Sequence, residues 1–239
     1  MNAIVMTCDR YRAVTQHMML QYERLWPKHP FVFIVPYQTL RESDSERVKY
    51  VKAPEAISAS ILQLLADIDD EEWIYWCSDD KYPIRFVTDK IIQLFSYTSR
   101  LPEVSGLLFC RCRATLGQPE LALYPGEWNT PFGDVLLERK AWYQIWIHQF
   151  LRAKVLRYFF SQMPESIPSA KAMDTFKNNI VKRPEDRLFV TKENFAIFGE
   201  STQGGVMTRN CYRSIRKTDI ELPLWFQHPS RKSVTMGKL

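Results

Sequence analysis

Apolar positions along the chain fall into short blocks separated by polar loops. Ala3-Ile4-Val5-Met6, Phe31–Val35, Val48–Val51 and Trp73–Cys77 are runs of bulky residues of strand length. Uninterrupted runs of this kind suit strands buried on both faces, as inside a parallel sheet. Between them the spacing becomes helical: Val14, Met18, Tyr22 and Leu25, then Ile57, Ile61, Leu64, Leu65 and Ile68. Ile91, Ile92, Leu94 and Phe95 predict a third helix over Thr88–Tyr97, and Gly106–Cys112 reads as the next strand. Alternation of strand and helix over residues 1–112 predicts a parallel sheet with right-handed crossovers.

Beyond residue 112 the pattern changes. Ala114–Asp134 is rich in Pro and Gly, and Asp134–Leu137 reads as a strand. Trp142, Ile145, Trp146, Gln149 and Phe150 share one helical face and predict a helix over Ala141–Phe160, ended by Pro164 and Pro168. Leu188–Val190 and Asn194–Phe198 read as strands, and Gly199–Gly205 as a surface turn. The expectation is a single α/β domain over 1–239, with a mostly parallel sheet flanked by helices and a mixed C-terminal half.

Composition narrows the class. A chain of 239 residues can bury one sizeable core, and 46% hydrophobic with 13% aromatic residues excludes general disorder. No apolar run approaches the roughly 18 residues of a membrane span. The N-terminal stretch meets charge at Asp9 and lacks the apolar segment of a signal peptide. The five cysteines show no C-x-x-C spacing, and Cys110 and Cys112 share one strand face as packing residues. A cytoplasmic location is the expectation.

Charge is unevenly placed. Residues 1–120 hold 14 Lys and Arg against 16 Asp and Glu; residues 121–239 hold 18 against 11. From Met207 onward there are seven basic residues against Asp219 and Glu221. Such an end suits a polyanion or a ligand's phosphates. Nucleic acid is not the expected partner, because the charge is modest and no C₂H₂ spacing or aromatic RNP motif is present.

The candidate chemistry sits at Glu72–Pro83. The apolar run Trp73–Cys77 stops at adjacent carboxylates, Asp79 and Asp80, which places them just past a strand's C-terminal end. Ligands bind at that edge in open α/β sheets. Paired carboxylates there suit Mg²⁺ or Mn²⁺, which would hold a diphosphate; a solvated turn is the plainer alternative.

Three stretches resemble nucleotide-sugar-dependent glycosyltransferases of the GT-A fold, and together they span roughly the first two thirds of the chain. Ile4–Arg10 is similar to the opening strand and Thr-x-Asn/Asp-Arg loop of family-2-like members. Ser78-Asp79-Asp80 is similar to the D-x-D element, with Ser at its first position, and Pro131–Trp146 to the acceptor-side segment. The resemblance implies a nucleotide-binding half (1–112), an acceptor-side half (113–206) and a basic tail (207–239). It implies a metal, Mn²⁺ or Mg²⁺, on Asp80 and Asp79, and a UDP- or GDP-type sugar donor near Thr7, Cys8, Asp9, Arg10, Asp79 and Arg209. The acceptor would be a glycan or other hydroxyl. The Glu-Asp pair that supplies the general base in inverting members has no copy at its usual place. Asp174 is the first candidate base and Asp134 the second, with an N-cap as the plainer role for Asp174. A protein that keeps the fold and binds nucleotide or sugar without turnover is the alternative. The basic tail is expected either to close over bound donor or to pack permanently on the domain.

Overall fold

The computed structural model describes residues 1–111, 123–167 and 170–237. In order, β1 (Asn2–Met6), α1 (Arg12–Leu25), β2 (Val32–Tyr37), β3 (Val48–Lys52), α2 (Ile57–Leu64) and β4 (Trp73–Ser78) lead to β5 (Lys81–Phe86), α3 (Thr88–Thr98) and β6 (Val104–Leu108). The second half holds β7 (Gly126–Asn129), β8 (Val135–Glu138), β9 (Gln149–Arg152), α4 (Ala153–Ser161), α5 (Ala170–Phe176), β10 (Arg187–Thr191) and β11 (Ala196–Glu200). A two-residue-strand hairpin, β12 (Thr202–Gln203) and β13 (Val206–Met207), precedes α6 (Arg209–Ile215) and β14 (Thr235–Met236).

Nine strands form the main sheet in the order β3-β2-β1-β4-β9-β6-β10-β8-β7. The pairings of β1 with β2 and β4, β2 with β3, and β6 with β10 are parallel. β9 runs antiparallel between β4 and β6, and β8 is antiparallel to both β10 and β7. Seven strands therefore share one direction, and β8 and β9 oppose them. This is the expected α/β class, a mostly parallel sheet flanked by helices with a mixed second half. A small sheet, β14-β11-β5, stands beside it.

Alternate residues of the central strands feed opposite faces, as the pleat requires. Ala3, Val5, Tyr75 and Cys77 join the core under α1, where Val14, Met18 and Tyr22 recur four residues apart. Ile4, Ile74 and Trp76 join the core under α2 and α4, against Ile61, Leu64, Leu156 and Phe160. Burial on both faces explains why β1 and β4 read as continuous apolar runs.

Three sequence expectations are corrected. Ala141–Phe160 is not one helix: Gln144 adopts a left-handed φ of 63°, residues 149–152 are extended as β9, and only Ala153–Ser161 is helical. Residue 149 onward fills the slot between β4 and β6, and a strand buried on both faces shows the same apolar density as a helical face. β2 continues through Pro36 to Tyr37. β6 ends at Leu108, Cys110 is buried just beyond it, and Cys112 lies outside the described residues. In this structure residues 207–237 pack on the domain: β14 pairs with β11, and Cys211, Ile215, Phe226 and Met236 are buried.

Candidate functional site

At the C-terminal edge of the sheet β1 and β4 end side by side, with Met6 in register with Ser78. The chain leaves β1 through Thr7-Cys8 and leaves β4 through Asp79-Asp80, where it crosses directly into β5 of the small sheet. The Asp79 N–H donates to the Met6 carbonyl at 3.1 Å, tying the two exits together. A cavity of about 710 Å³ opens here. Thr7, Cys8 and Tyr11 follow β1, and Gln38 follows β2. Glu55, Ile57 and Ser60 come from the start of α2, and Ser78–Asp80 form the end of β4. Lys171 of α5 and Thr202, Gly204 and Gly205 of the β12–β13 hairpin complete the wall. Gly204 and Gly205 have φ of 61° and 79°, values that favour glycine and permit so short a hairpin.

The two carboxylates differ. Burial pushes the Asp79 carboxyl up to about 7; the Thr7 hydroxyl pulls against that rise and the Asp80 charge adds to it. Asp80 is more open and anchored at three points. One oxygen accepts from the Ser78 hydroxyl, the other pairs with the Lys81 ammonium at 2.5 Å, and its carbonyl accepts the Ser201 N–H at 2.7 Å. Lys81 is itself buried and lies 3.8 Å from Glu200. Burial, with Asp79 and Asp9 nearby, raises the Cys8 thiol above its ordinary value, which favours its protonated form in the wall.

Behind the pair runs a buried polar chain. The Ser78 carbonyl lies 2.8 Å from His148 Nε2, which must therefore donate. Nδ1 is left to accept from the Tyr22 hydroxyl at 2.6 Å, and Tyr22 in turn meets Tyr75 at 2.9 Å. Burial lowers the imidazole to about 4, so His148 is neutral and fixed in this tautomer near neutral pH. It holds the last residue of β4, and hence the direction in which Asp79 and Asp80 project. His148 stands in a non-helical stretch before β9 and not inside a helix.

Of the residues singled out in the sequence, Thr7, Cys8, Asp79 and Asp80 line the cavity together. Asp9 does not. Its carboxylate accepts from the N–H groups of Gln38, Thr39 and Leu40 and pairs with Arg12 at 3.0 Å. Burial would raise it, but those backbone donors hold it at about 2. Asp9 fastens the loop after β1 to the loop after β2. Arg10 is exposed and outside the wall. Arg209 opens α6, points its N–H at the Lys232 carbonyl, and is replaced in the wall by Lys171 as the basic residue. Asp134 lies in the β7–β8 connection at the far sheet edge, paired with Lys90 at 2.8 Å. Asp174 is inside α5, where the Trp146 indole and Lys177 occupy the same oxygen at 2.8 and 2.6 Å. It is neither a wall residue nor an N-cap. Gln38, Glu55, Ser60 and Lys171 carry no signal in the sequence, because they converge from distant loops.

The donor set fits a hard divalent ion. Among the described residues no three His, Cys, Asp or Glu side chains converge. Mg²⁺ needs only one or two carboxylates when phosphate oxygens and water complete its shell. Asp79 and Asp80 supply that much at the cavity wall, and an ion there would share Asp80 with Lys81.

The layout is an α/β sheet, mostly parallel, with the cavity at its C-terminal edge. No family model and no curated protein matches the chain. Among solved structures, TarS 1-349 of S. aureus aligns at 15% identity and TM-score 0.47, covering 82% of this chain and 59% of that one. Galactosyltransferase LgtC, in complex with donor and acceptor sugar analogues, aligns at 12% identity and TM-score 0.41, covering 78% and 68%. The 2-C-methyl-D-erythritol 4-phosphate cytidylyltransferase IspD of Francisella tularensis aligns at 13% identity and TM-score 0.40, covering 80% and 90%. No helix among the described residues is long and apolar enough to cross a membrane.

Proposed function

We propose that this chain is a glycosyltransferase that moves a sugar from a UDP- or GDP-type donor to an acceptor hydroxyl. The observation that carries the reading is the Asp79–Asp80 pair at the wall of a 710 Å³ cavity, beside Thr7 and Cys8 at the C-terminal edge of the sheet. Asp79 and Asp80 would hold Mn²⁺ or Mg²⁺, and the bound ion would neutralise charge on the leaving diphosphate. Lys171 faces the same space and supplies a second cation toward phosphate oxygens. Thr7 and Cys8 bound the space for the nucleoside. Glu55 is the wall carboxylate outside the diphosphate pair, and in an inverting reaction it takes the place of Asp174 and Asp134 as the group to test for accepting the acceptor's proton.

Calorimetry of UDP and GDP with and without Mn²⁺ tests this. Binding is expected to require the ion in the wild type and to be lost in Asp80→Asn; equal affinity in all four conditions overturns the reading. A second reading, binding without turnover, draws support from the placement of Asp174 and Asp134 outside the cavity. Slow release of nucleoside diphosphate from sugar donors, abolished by Asp80→Asn, favours the transferase. Binding with no release favours the second reading.

A further inference from the structure

Residues 209–232 hold six basic residues against Asp219 and Glu221. In the second half Arg152, Lys154, Arg157, Arg183 and Arg187 each sit against a carboxylate. Arg209, Arg213, Arg216, Lys217, Arg231 and Lys232 are exposed, and none of them is in an ion pair among the described residues. Residues 209, 213 and 216 follow one face of α6, opposite Cys211 and Ile215, which are buried. The Arg209 N–H donates to the Lys232 carbonyl at 2.8 Å, so the 231–232 segment lies against the start of the same helix.

Apolar side chains also stand out in and next to this part of the chain. In the turn Leu224–Phe226 only Phe226 is buried, its ring 5.8 Å from that of Tyr11; Leu224 is 77% and Trp225 53% exposed. Val206, 44% exposed, sits at the hairpin tip next to Gly205, which approaches the Tyr11 hydroxyl. Tyr11 and Gly205 both line the cavity, so the turn that carries Leu224 and Trp225 and the hairpin that carries Val206 each reach its wall through a neighbouring residue, Phe226 against Tyr11 and Gly205 itself. Nothing within the described fold covers them, and they protrude on a turn and a hairpin tip and form no groove.

We infer that this face docks on an anionic lipid bilayer, with Leu224 and Trp225 entering the interface and the basic residues facing lipid phosphates, and that the cavity opens toward the membrane. The charge complementarity selects the occupant. A protruding Leu-Trp pair gains from immersion at a lipid–water boundary, and an indole is well suited to that depth. Basic side chains around it gain from the negative surface potential of anionic lipid. A nucleic acid would use the charge and leave the apolar tips in water.

Co-sedimentation of the full chain with phosphatidylcholine vesicles, with and without phosphatidylglycerol, tests the inference. Binding is expected only to the anionic vesicles, weaker at high salt, and about ten-fold weaker in the double variant Leu224→Ala, Trp225→Ala. Arg213→Glu with Arg216→Glu is expected to lose it. Both double variants change exposed side chains outside the cavity and should melt like wild type. Absence of pelleting, equal binding to neutral vesicles, or indifference to loss of Leu224 and Trp225 overturns the inference. Tighter binding to an RNA duplex than to vesicles, unaffected by the Leu224 and Trp225 changes, also overturns it. None of these readouts depends on sugar-nucleotide binding, so each proposal stands or falls separately.

Discussion

Asp79 places a titrating group where the proposed ion would sit. Burial lifts its carboxyl from 3.8 to about 7, so between those values the folded chain holds a proton that the unfolded chain releases. Where the native state binds more protons, stability falls as pH rises, so this group's contribution in the metal-free protein declines from about pH 4 to about pH 7. Metal binding must expel the same proton. Mn²⁺ affinity is therefore expected to rise from pH 6 to pH 8, with net proton release near pH 6. Calorimetry in two buffers of different ionisation enthalpy reads that release directly, and Asp79→Asn should abolish it. A wild-type protein that binds Mn²⁺ with no proton release at pH 6 would contradict the assignment.

The strand ends are what hold this site in shape. β4 stops at Ser78, and the buried His148 fixes that residue's carbonyl from behind. His148→Phe keeps an aromatic ring but leaves the carbonyl without its donor and the Tyr22 hydroxyl with Tyr75 alone. A loss of about 1–3 kcal/mol in unfolding free energy is expected from such buried groups. Nucleotide affinity should fall with it, because the Asp79–Asp80 turn loses its anchor; a variant that melts lower but binds unchanged would separate the two roles. The same element shows what the sequence revealed. β1 and β4 were readable as continuous apolar runs, α1 and α3 by their helical spacing, and the carboxylate pair because it follows β4 directly. β5 was not: Tyr82, Ile84 and Phe86 alternate with Lys81, Pro83 and Arg85, but Pro83 close behind the carboxylate pair signals a turn, and the segment is a strand through its pairing with β11. β9 was misread because Trp142, Ile145, Trp146, Gln149 and Phe150 imitate a helical face while tertiary pairing draws residues 149–152 straight. Asp134 and Asp174 were chosen by chain order, which says nothing about which loops meet at the sheet's edge.

At the scale of the molecule, the small sheet and α6 join the chain's last thirty residues to its core. Removing residues 207–239 would strip Met207, Cys211, Ile215, Phe226 and Met236 from buried positions. Such a truncation is expected to be unfolded or insoluble, and circular dichroism with a thermal melt would show it. A truncated chain that melts cooperatively near the wild-type temperature would instead restore the picture of a detachable flap. Finally, the antiparallel strand β9 bears on how the protein is made. A ribosome delivers β4 and β6 before residues 149–152 exist, so the middle of the sheet emerges with an empty lane in it. β6 waits longer still for β10, and β5 for β11. Residue 191 of 239, the end of β10, must leave the ribosome before the sheet can close. Through that interval the apolar faces of Tyr75, Trp76 and Phe109 are nascent-chain surface, available to whatever chaperone attends the exit tunnel.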